Sequence, residues 1–211
     1  MSIIGDLPVA KLALEGTKIT DAGLKALAKA KNLKELNLDK TRLTNTGLTY
    51  LKDLKLKRLE LNNCQGLSGQ ALAIIANQWP DIEFIGISYV PFSSNDFQQL
   101  VKCKKLRYLL ALNSKLNNDD LKLIGTFKNL KWLYLSHGKF DDQALTHLYN
   151  LKNLKVMSLH ETPSVSPEAV KLLKSKLPSG CELMTDRAKG VGAIDDFSDM
   201  IQKSIDGHLE E

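Results

Sequence analysis

The sequence predicts an α/β solenoid in which every coil contributes one short strand and one helix. Three observations support this prediction. Apolar pairs separated by one residue recur along the chain, the second members of these pairs lie 23–26 residues apart, and a favourable helix-start residue follows almost every pair. A fixed period in this range is typical of repeat proteins, whose coils stack to bury a continuous core. We therefore predict a right-handed, curved solenoid with a parallel sheet on its concave side and helices on its convex side.

Each repeat begins with a short strand. The motif leucine–any–leucine alternates with a period of two, which places both apolar residues on one face of a strand. Strands of successive coils are expected to pair in parallel, with the leucines filling the coil. The second apolar positions are Leu14, Leu38, Leu61, Ile87, Ala111, Leu135, Leu159 and Leu183. The spacing thus predicts about seven to eight repeats.

A turn and a helix follow the strand. Three residues after the second leucine, most repeats carry a small residue whose hydroxyl or thiol can bond to the backbone. Val90 and Gly138 lack such a group, so we expect gaps in this series of bonds there. Each helix is predicted to begin after a residue that favours the N-cap. These residues are Thr20, Thr44, Ser68, Ser93, Asn117, Asp141 and Ser166.

The repeated pattern resembles that of the leucine-rich-repeat superfamily. The stretch GTKITDAGL, residues 16–24, is similar to the bacterial and cysteine-containing style of repeat, with a consensus of roughly L-x-L-x-x-(T/C)-x-(I/L)-T-D-x-G-L. The resemblance covers about residues 9–185. It implies a binding module and names no partner. Similar eukaryotic repeats often select substrates in ubiquitin ligases, but no segment like an F-box is visible in this sequence.

The chain is predicted to divide into a solenoid, residues 1–185, and an acidic tail, residues 186–211. The tail carries three basic and seven acidic side chains, a net charge of −4, whereas the whole chain carries +5. Its apolar residues recur at helical spacing, which predicts a short amphipathic helix. These residues are Ile194, Phe197, Ile201 and Ile205. We expect the helix to cap the last coil; the alternative is a mobile segment that docks on a partner.

The residues beside the strand leucines are predicted to form the concave face. They are polar in the first three repeats and largely aromatic in the next three. Because neighbouring parallel strands lie ~4.8 Å apart, Phe84, Tyr108 and Trp132 should form one column. Exposed aromatic clusters commonly mark protein-binding surfaces. The candidate partner-binding residues are Phe84, Tyr89, Tyr108, Leu110, Leu112, Trp132, Tyr134, His137 and His160. Burial under the tail and a homodimer contact remain alternatives for this column.

Basic residues recur where each helix returns to the next strand. Segments such as KNLK place them along one edge of the solenoid. Cations near helix C-termini offset the helix dipole and keep a surface soluble, which is the favoured interpretation. The alternative is binding of nucleic acid or another polyanion, although no adjacent aromatic residues that could stack on bases are evident. The candidate residues are Lys102, Lys104, Lys105, Arg107, Lys128 and Lys131.

Motifs for catalysis and metal binding are nearly absent from the sequence. There is no phosphate-binding glycine loop, no H-E-x-x-H and no cysteine pair with zinc spacing. His137 and His160, beside Glu161, could approach each other and hold a metal, but polar residues at strand ends need no such role. Cys64 fits a structural position in the turn, and Cys103 fits a half-buried thiol better than a reactive one. We predict no enzymatic activity, no metal and no cofactor.

These observations predict a non-enzymatic module that binds another protein and is itself a monomer or weak dimer. No apolar run approaches the ~18–20 residues that span a bilayer. The N-terminus lacks the pattern of a signal peptide, and three scattered cysteines fit free thiols better than disulfides. Together these features favour a cytoplasmic location, with host-directed secretion left open.

Overall fold

The computed structural model of the chain describes residues 9–185. Over this range, eight strands form one sheet, and every strand pairs in parallel with the strand of the next repeat. The order in the sheet is the order in the chain, as expected for one strand per coil. The strands are β1 (Lys11–Ala13), β2 (Glu35–Asn37), β3 (Arg58–Glu60), β4 (Phe84–Gly86), β5 (Tyr108–Ala111), β6 (Trp132–Ser136), β7 (Val156–His160) and β8 (Glu182–Thr185).

A helix follows each strand from β1 to β7. Helices of successive repeats contact one another, so they form a second layer beside the sheet. Short 3-10 segments continue two of them, at Gln98–Lys102 and Thr146–Asn150. The helices are α1 (Asp21–Leu27), α2 (Asn45–Thr49), α3 (Gln70–Gln78), α4 (Ser94–Phe97), α5 (Asn118–Ile124), α6 (Asp142–Leu145) and α7 (Pro167–Lys176). Within residues 9–185, none of these helices has the length and apolar character that crossing a bilayer requires.

Six of the seven predicted N-caps directly precede the first helical residue. Asp141 shows the reason, because its carboxylate accepts the main-chain N–H groups of Gln143 and Ala144 at 3.0 and 3.2 Å. The prediction is wrong for Ser68, since α3 begins one residue later and Gly69 takes the cap position. This repeat is the longest in the series, so its turn contains additional residues before the helix.

The core lies between the sheet and the helices. Leu133 and Leu135 on β6 have no exposed surface, and they share one cluster with helix residues such as Leu121 and Leu145. Burying such a side chain stabilises a fold by roughly 1.5–3 kcal/mol. The structure thus confirms that the repeated strand leucines point toward the helices. It follows that the residues between them point to the opposite face of the sheet.

The predicted hydrogen bonds at the turns form in each of the first three repeats, beginning with Thr17 Oγ1, which donates to the Leu14 carbonyl at 2.7 Å. Thr41 Oγ1 donates to the Leu38 carbonyl at 2.6 Å, and Cys64 Sγ donates to the same carbonyl at 3.1 Å. Val90 fills the equivalent position with a buried apolar side chain, as expected. Small polar residues therefore join successive coils here without adding a catalytic group.

A left-handed backbone position recurs two residues after the second strand leucine. Gly16 occupies it in the first repeat with φ 65°, and non-glycine residues occupy it in the following repeats. Left-handed φ costs a non-glycine residue roughly 1–2 kcal/mol, so these turns store strain. The non-glycine residues are Lys40, Asn63, Tyr89, Asn113, His137 and Glu161. Glycine at Gly16 and asparagine at Asn63 and Asn113 are residue types that adopt this conformation most readily.

Candidate functional site

Three aromatic residues form a column across β4, β5 and β6. Phe84 is in register with Tyr108, and Tyr108 with Trp132, which confirms the predicted alignment. The ring centroids of Phe84 and Tyr108 are 5.9 Å apart, and those of Tyr108 and Trp132 are 5.5 Å apart. The fixed repeat length produces this column, because residues 24 positions apart occupy equivalent places on neighbouring strands.

A second row of apolar residues lies beside the aromatic column. Leu110 is in register with Tyr134, whose ring centroid lies 6.3 Å from that of Trp132. Leu112 follows directly after β5 and belongs to the same group. We call these six side chains the concave cluster: Phe84, Tyr108, Leu110, Leu112, Trp132 and Tyr134.

The concave cluster is separate from the main core, yet it is buried. Its members are only 1–5% exposed, whereas the sequence suggested an exposed aromatic surface. Burial raises the pKa of the Tyr134 hydroxyl, and the nearby charge of Glu182 raises it further. No helix residue between 9 and 185 belongs to the cluster, so a second hydrophobic layer lies on the side of the sheet opposite the helices.

Arg58 and Glu60 on β3 extend this buried region. The Arg58 guanidinium lies over the Phe84 ring, 4.1 Å from its centroid, and Arg58 Nε donates to a Glu60 carboxylate oxygen at 2.9 Å. Both side chains are buried, although charged residues at alternate strand positions suggested a solvated surface. The third repeat is therefore polar on this face, as its sequence indicates, and these polar side chains are buried. A cation over an aromatic face stabilises this arrangement by roughly 0.5–2 kcal/mol.

Tyr89 and the two histidines lie beside the concave cluster. Tyr89 packs against it from the turn after β4. His137 Nδ1 lies 3.2 Å from Ser136 Oγ, and its Nε2 contacts the Glu161 carboxylate. His160 is in register with Ser136 at the end of β7. Among residues 9–185, no three His, Cys, Asp or Glu side chains come together in a way that could hold a metal ion.

A series of polar side chains links the ends of the earlier strands. The Asp39 carboxylate accepts both the main-chain and side-chain N–H groups of Asn62, at 2.7 and 2.8 Å. Asn62 Oδ1 in turn accepts the Ser88 N–H at 2.8 Å. Burial raises the pKa of Asp39 to about 7, the nearby Glu60 charge raises it as well, and the bonds from Asn62 lower it. This carboxyl group therefore has a structural role in joining coils.

The basic edge is partly neutralised where it passes the fourth repeat. Lys105 Nζ lies 3.1 Å from an Asp81 oxygen, and Arg107 lies 3.4 Å from a Glu83 oxygen. Exposed pairs of this kind contribute roughly 0–1 kcal/mol to stability. They also lower the positive charge that this part of the edge presents to a polyanion.

The remaining basic residues support the turns between helix and strand. Lys128 Nζ donates to the Gly125 carbonyl at 2.8 Å, and Asn129 Nδ2 donates to the Lys104 carbonyl at 2.9 Å. Lys102 Nζ donates to Asn77 at 2.6 Å. A shallow groove of about 420 Å³ runs along this edge; it is lined by Glu83, Lys105, Arg107, Asn129, Lys131, Asn153 and Lys155.

The three cysteines are free thiols. Burial raises the pKa of Cys103 to about 11, and it also raises that of Cys64. Thiolate formation at neutral pH is therefore suppressed at both residues. The structure favours the structural interpretation of these two thiols over the reactive one.

The fold was compared with solved structures of other proteins. Internalin C2 from Listeria monocytogenes has a TM-score of 0.58 and 20% sequence identity, over 84% of this chain and 80% of that protein. A second internalin from the same bacterium, inlF, has a TM-score of 0.61 and 21% identity. The similar region covers 84% of this chain and 49% of inlF, so the chain spans about half the length of that protein.

The sequence matches neither a protein-family model nor a curated protein. Identities of 20–21% to solved structures concern the fold alone. Internalins are leucine-rich-repeat proteins, and the sheet described above pairs one strand from each repeat in parallel. Residues 9–185 therefore have the α/β solenoid fold of leucine-rich-repeat proteins.

Proposed function

We propose that this chain is a protein-interaction module that binds its partner through the concave face. The observation that carries this proposal is the concave cluster, six contiguous apolar side chains outside the core that holds the helices to the sheet. Apolar clusters of this kind commonly mark protein-binding surfaces, and a partner with a complementary apolar surface can pack against these side chains.

The composition of the cluster suits protein recognition. Tryptophan and tyrosine are enriched among the residues that dominate binding energy, typically with ~2–4 kcal/mol lost on truncation of each. Trp132 and Tyr134 lie side by side on β6, the last of the three strands that carry the cluster, and the Tyr134 hydroxyl adds a polar group to a large apolar area. A partner with a complementary apolar segment would therefore gain both affinity and orientation from these two residues.

The carboxyl groups with raised pKa values support a non-enzymatic function. Asp39 and Asp120 are such groups, and burial is the main cause in both. Asp39 accepts bonds from Asn62, and Asp120 accepts the main-chain N–H of Asn117 at 2.9 Å. Each carboxylate thus stabilises a turn or a helix start, so we assign neither to catalysis.

Binding of a polyanion along the basic edge is the second candidate function. The groove beside Lys105, Arg107 and Lys155 is the observation that favours it. The ion pairs with Asp81 and Glu83 count against it, because they already neutralise part of the positive charge. Binding of this kind should weaken steeply as salt is added, whereas binding to an apolar cluster should not.

Affinity capture with matched variants tests the proposal. The purified chain is immobilised, and captured proteins are identified by mass spectrometry for the wild type, for Trp132→Ala with Tyr134→Ala, and for Lys104→Glu with Lys105→Glu. Circular dichroism checks that all three are folded. We expect the concave variant to lose specific partners that the lysine variant retains. Retention by the concave variant and salt-sensitive loss by the lysine variant would instead support the basic edge.

A further inference from the structure

We propose that the acidic tail, residues 186–211, docks on the concave cluster and competes with the partner for this surface. Only the competition rests on the proposed function, because docking of the tail is a property of the chain alone. Three features of the chain support the docking: the burial of the cluster, the place where the described chain ends, and the composition of the tail.

The burial of the cluster calls for a covering layer. In-register side chains on neighbouring strands bury their sides against one another, but their outer surfaces still face outward from the sheet. Trp132 and Tyr134 are nevertheless only 2% exposed. No helix residue in 9–185 joins their cluster, and the partly buried residues packed against it are Tyr89, Val156 and Met184. Val156 and Met184 are on β7 and β8, the strands that follow the cluster, and Tyr89 is in the turn after β4, so all three border the cluster within the plane of the sheet.

The end of the described chain lies next to the cluster. Tyr134 is in register with Ser158, and Ser158 with Met184 on β8. The Met184 side chain packs against the cluster, and the described chain ends at the next residue, Thr185. The tail therefore starts at the same sheet face and about two strand spacings, ~10 Å, from Tyr134.

The length of the tail is sufficient to cover the whole cluster. From β8 to β4 the sheet extends over four strand spacings, ~19 Å. Thirteen residues of helix span this distance at ~1.5 Å per residue, and the tail contains 26 residues. Residues 1–8 are a poorer candidate, because they precede β1, which is five strands from β6 and Trp132.

The composition of the tail is complementary to the rest of the chain. Ile194, Phe197 and Ile201 recur three or four residues apart, as on one face of a helix, and supply the apolar surface that the cluster requires. The net charge of the tail is −4, which leaves +9 on residues 1–185. Opposite net charges favour association of the two parts.

Competition follows if the partner binds the same residues. The tail is covalently attached, so its effective concentration at the cluster is high and reaches the millimolar range for short flexible links. A partner then has to displace the tail, and its apparent Kd equals the intrinsic Kd divided by the fraction of chains in which the cluster is uncovered. Weakening of tail docking should consequently increase capture of the partner.

Quenching of tryptophan fluorescence by acrylamide tests tail docking in the pure full-length protein. Trp132 reports on the cluster, whereas Trp79 is 2% exposed in the core and serves as the internal reference. We expect Phe197→Asp with Ile201→Asp to make Trp132 accessible to acrylamide and to shift its emission to the red. Lys203→Asp is the control, since it changes the net charge by the same −2 and lies outside the apolar spacing. Identical quenching of wild type and the double variant would overturn the proposal.

Photo-cross-linking of the unsubstituted tail identifies the occupant directly. The photoreactive residue p-benzoylphenylalanine replaces Val156, which is in register with Trp132 and packs against the cluster. Copies labelled with 14N and 15N are mixed before illumination, and cross-linked peptides are identified by mass spectrometry. We expect adducts with residues 186–211 of the same copy. Adducts with residues 1–8, or adducts that join 14N to 15N peptides as often as like-labelled ones, would overturn the proposal. No partner is present in either experiment, so neither result depends on the proposed function.

Discussion

Tyr108 and Trp132 lie directly opposite each other on β5 and β6, with their ring centroids 5.5 Å apart and their planes at 86°. This edge-to-face arrangement brings the positive edge of one ring to the negative face of the other. Both rings are buried outside the main core, at 5% and 2% exposure. The pair therefore defines a second hydrophobic layer with its own specific packing.

The first prediction concerns the coupling of this pair. In a double-mutant cycle with Tyr108→Ala and Trp132→Ala, the two changes should be non-additive by about 0.5–1.5 kcal/mol of unfolding free energy, because each ring loses its edge-to-face partner. Urea denaturation measures the free energy of unfolding of the wild type, the two single variants and the double variant. Tyr108→Ala combined with Tyr50→Ala, in distant repeats, is the control and should be additive. Additivity in both cycles would show that the two rings do not interact.

The second prediction concerns the core. Leu135→Ala should lower the free energy of unfolding by ~2–5 kcal/mol, because a fully buried leucine leaves a cavity. Leu172→Ala is the matched control, since this leucine is 49% exposed on α7 and its loss should change stability by less than ~0.5 kcal/mol. Thermal and urea denaturation measure the stability of both variants against that of the wild type. Equal effects at the two positions would contradict the assignment of inward and outward residues.

The third prediction concerns pH and Asp39. Burial raises its pKa to about 7 from an ordinary value of ~3.9, so the folded protein binds a proton between these values that the unfolded chain has released. The free energy of unfolding should therefore decline as pH rises from 4 to 7, by up to a few kcal/mol from this group. Asp39→Asn removes the titration and should flatten that decline. Parallel pH profiles for wild type and variant would contradict the raised pKa.

The fourth prediction concerns the left-handed backbone position. Gly16→Ala should lower unfolding free energy by ~1 kcal/mol, because φ is 65° and the added methyl group meets no atom within 4 Å. The loss therefore reports backbone strain alone. Lys115 lies two residues beyond the recurring position and is an exposed residue that also has a left-handed φ, 50°. Lys115→Gly is the reverse change, and it should raise the free energy of unfolding. A stabilising Gly16→Ala would show that the turn relaxes to another conformation.

The fixed repeat length explains how much of the structure the sequence could predict. Because equivalent residues are spaced 24 apart in most repeats, the register of Phe84, Tyr108 and Trp132 follows from counting along the chain. The spacing predicts Ser68 as an N-cap, and this prediction is wrong because its repeat is longer and the additional residues lie in the turn before the helix. The count of residues specifies where strands pair, but it does not specify how a longer turn is built.

Burial on the concave face could not be predicted from alternation alone. A period of two separates the two faces of a strand, and it says nothing about what lies beyond each face. Alternation therefore does not reveal the burial of Arg58 and Glu60, whose side chains pair with each other while the guanidinium lies over Phe84. The same limit applies to Trp132. The repeat length predicts its place in the aromatic column, but it does not predict that the side chain is buried.

The affinity for an identified partner tests the central proposal, recognition through the concave face, most directly. Surface plasmon resonance measures Kd and the association and dissociation rates at two salt concentrations for the wild type, Trp132→Ala with Tyr134→Ala, and Lys104→Glu with Lys105→Glu. At ~2–4 kcal/mol for each aromatic anchor, the concave variant should bind at least ~100-fold more weakly at both salt concentrations. The lysine variant should change the association rate and its salt response more than the residence time. An unchanged Kd for the folded concave variant, with salt-sensitive loss of binding in the lysine variant, would contradict recognition through the concave face.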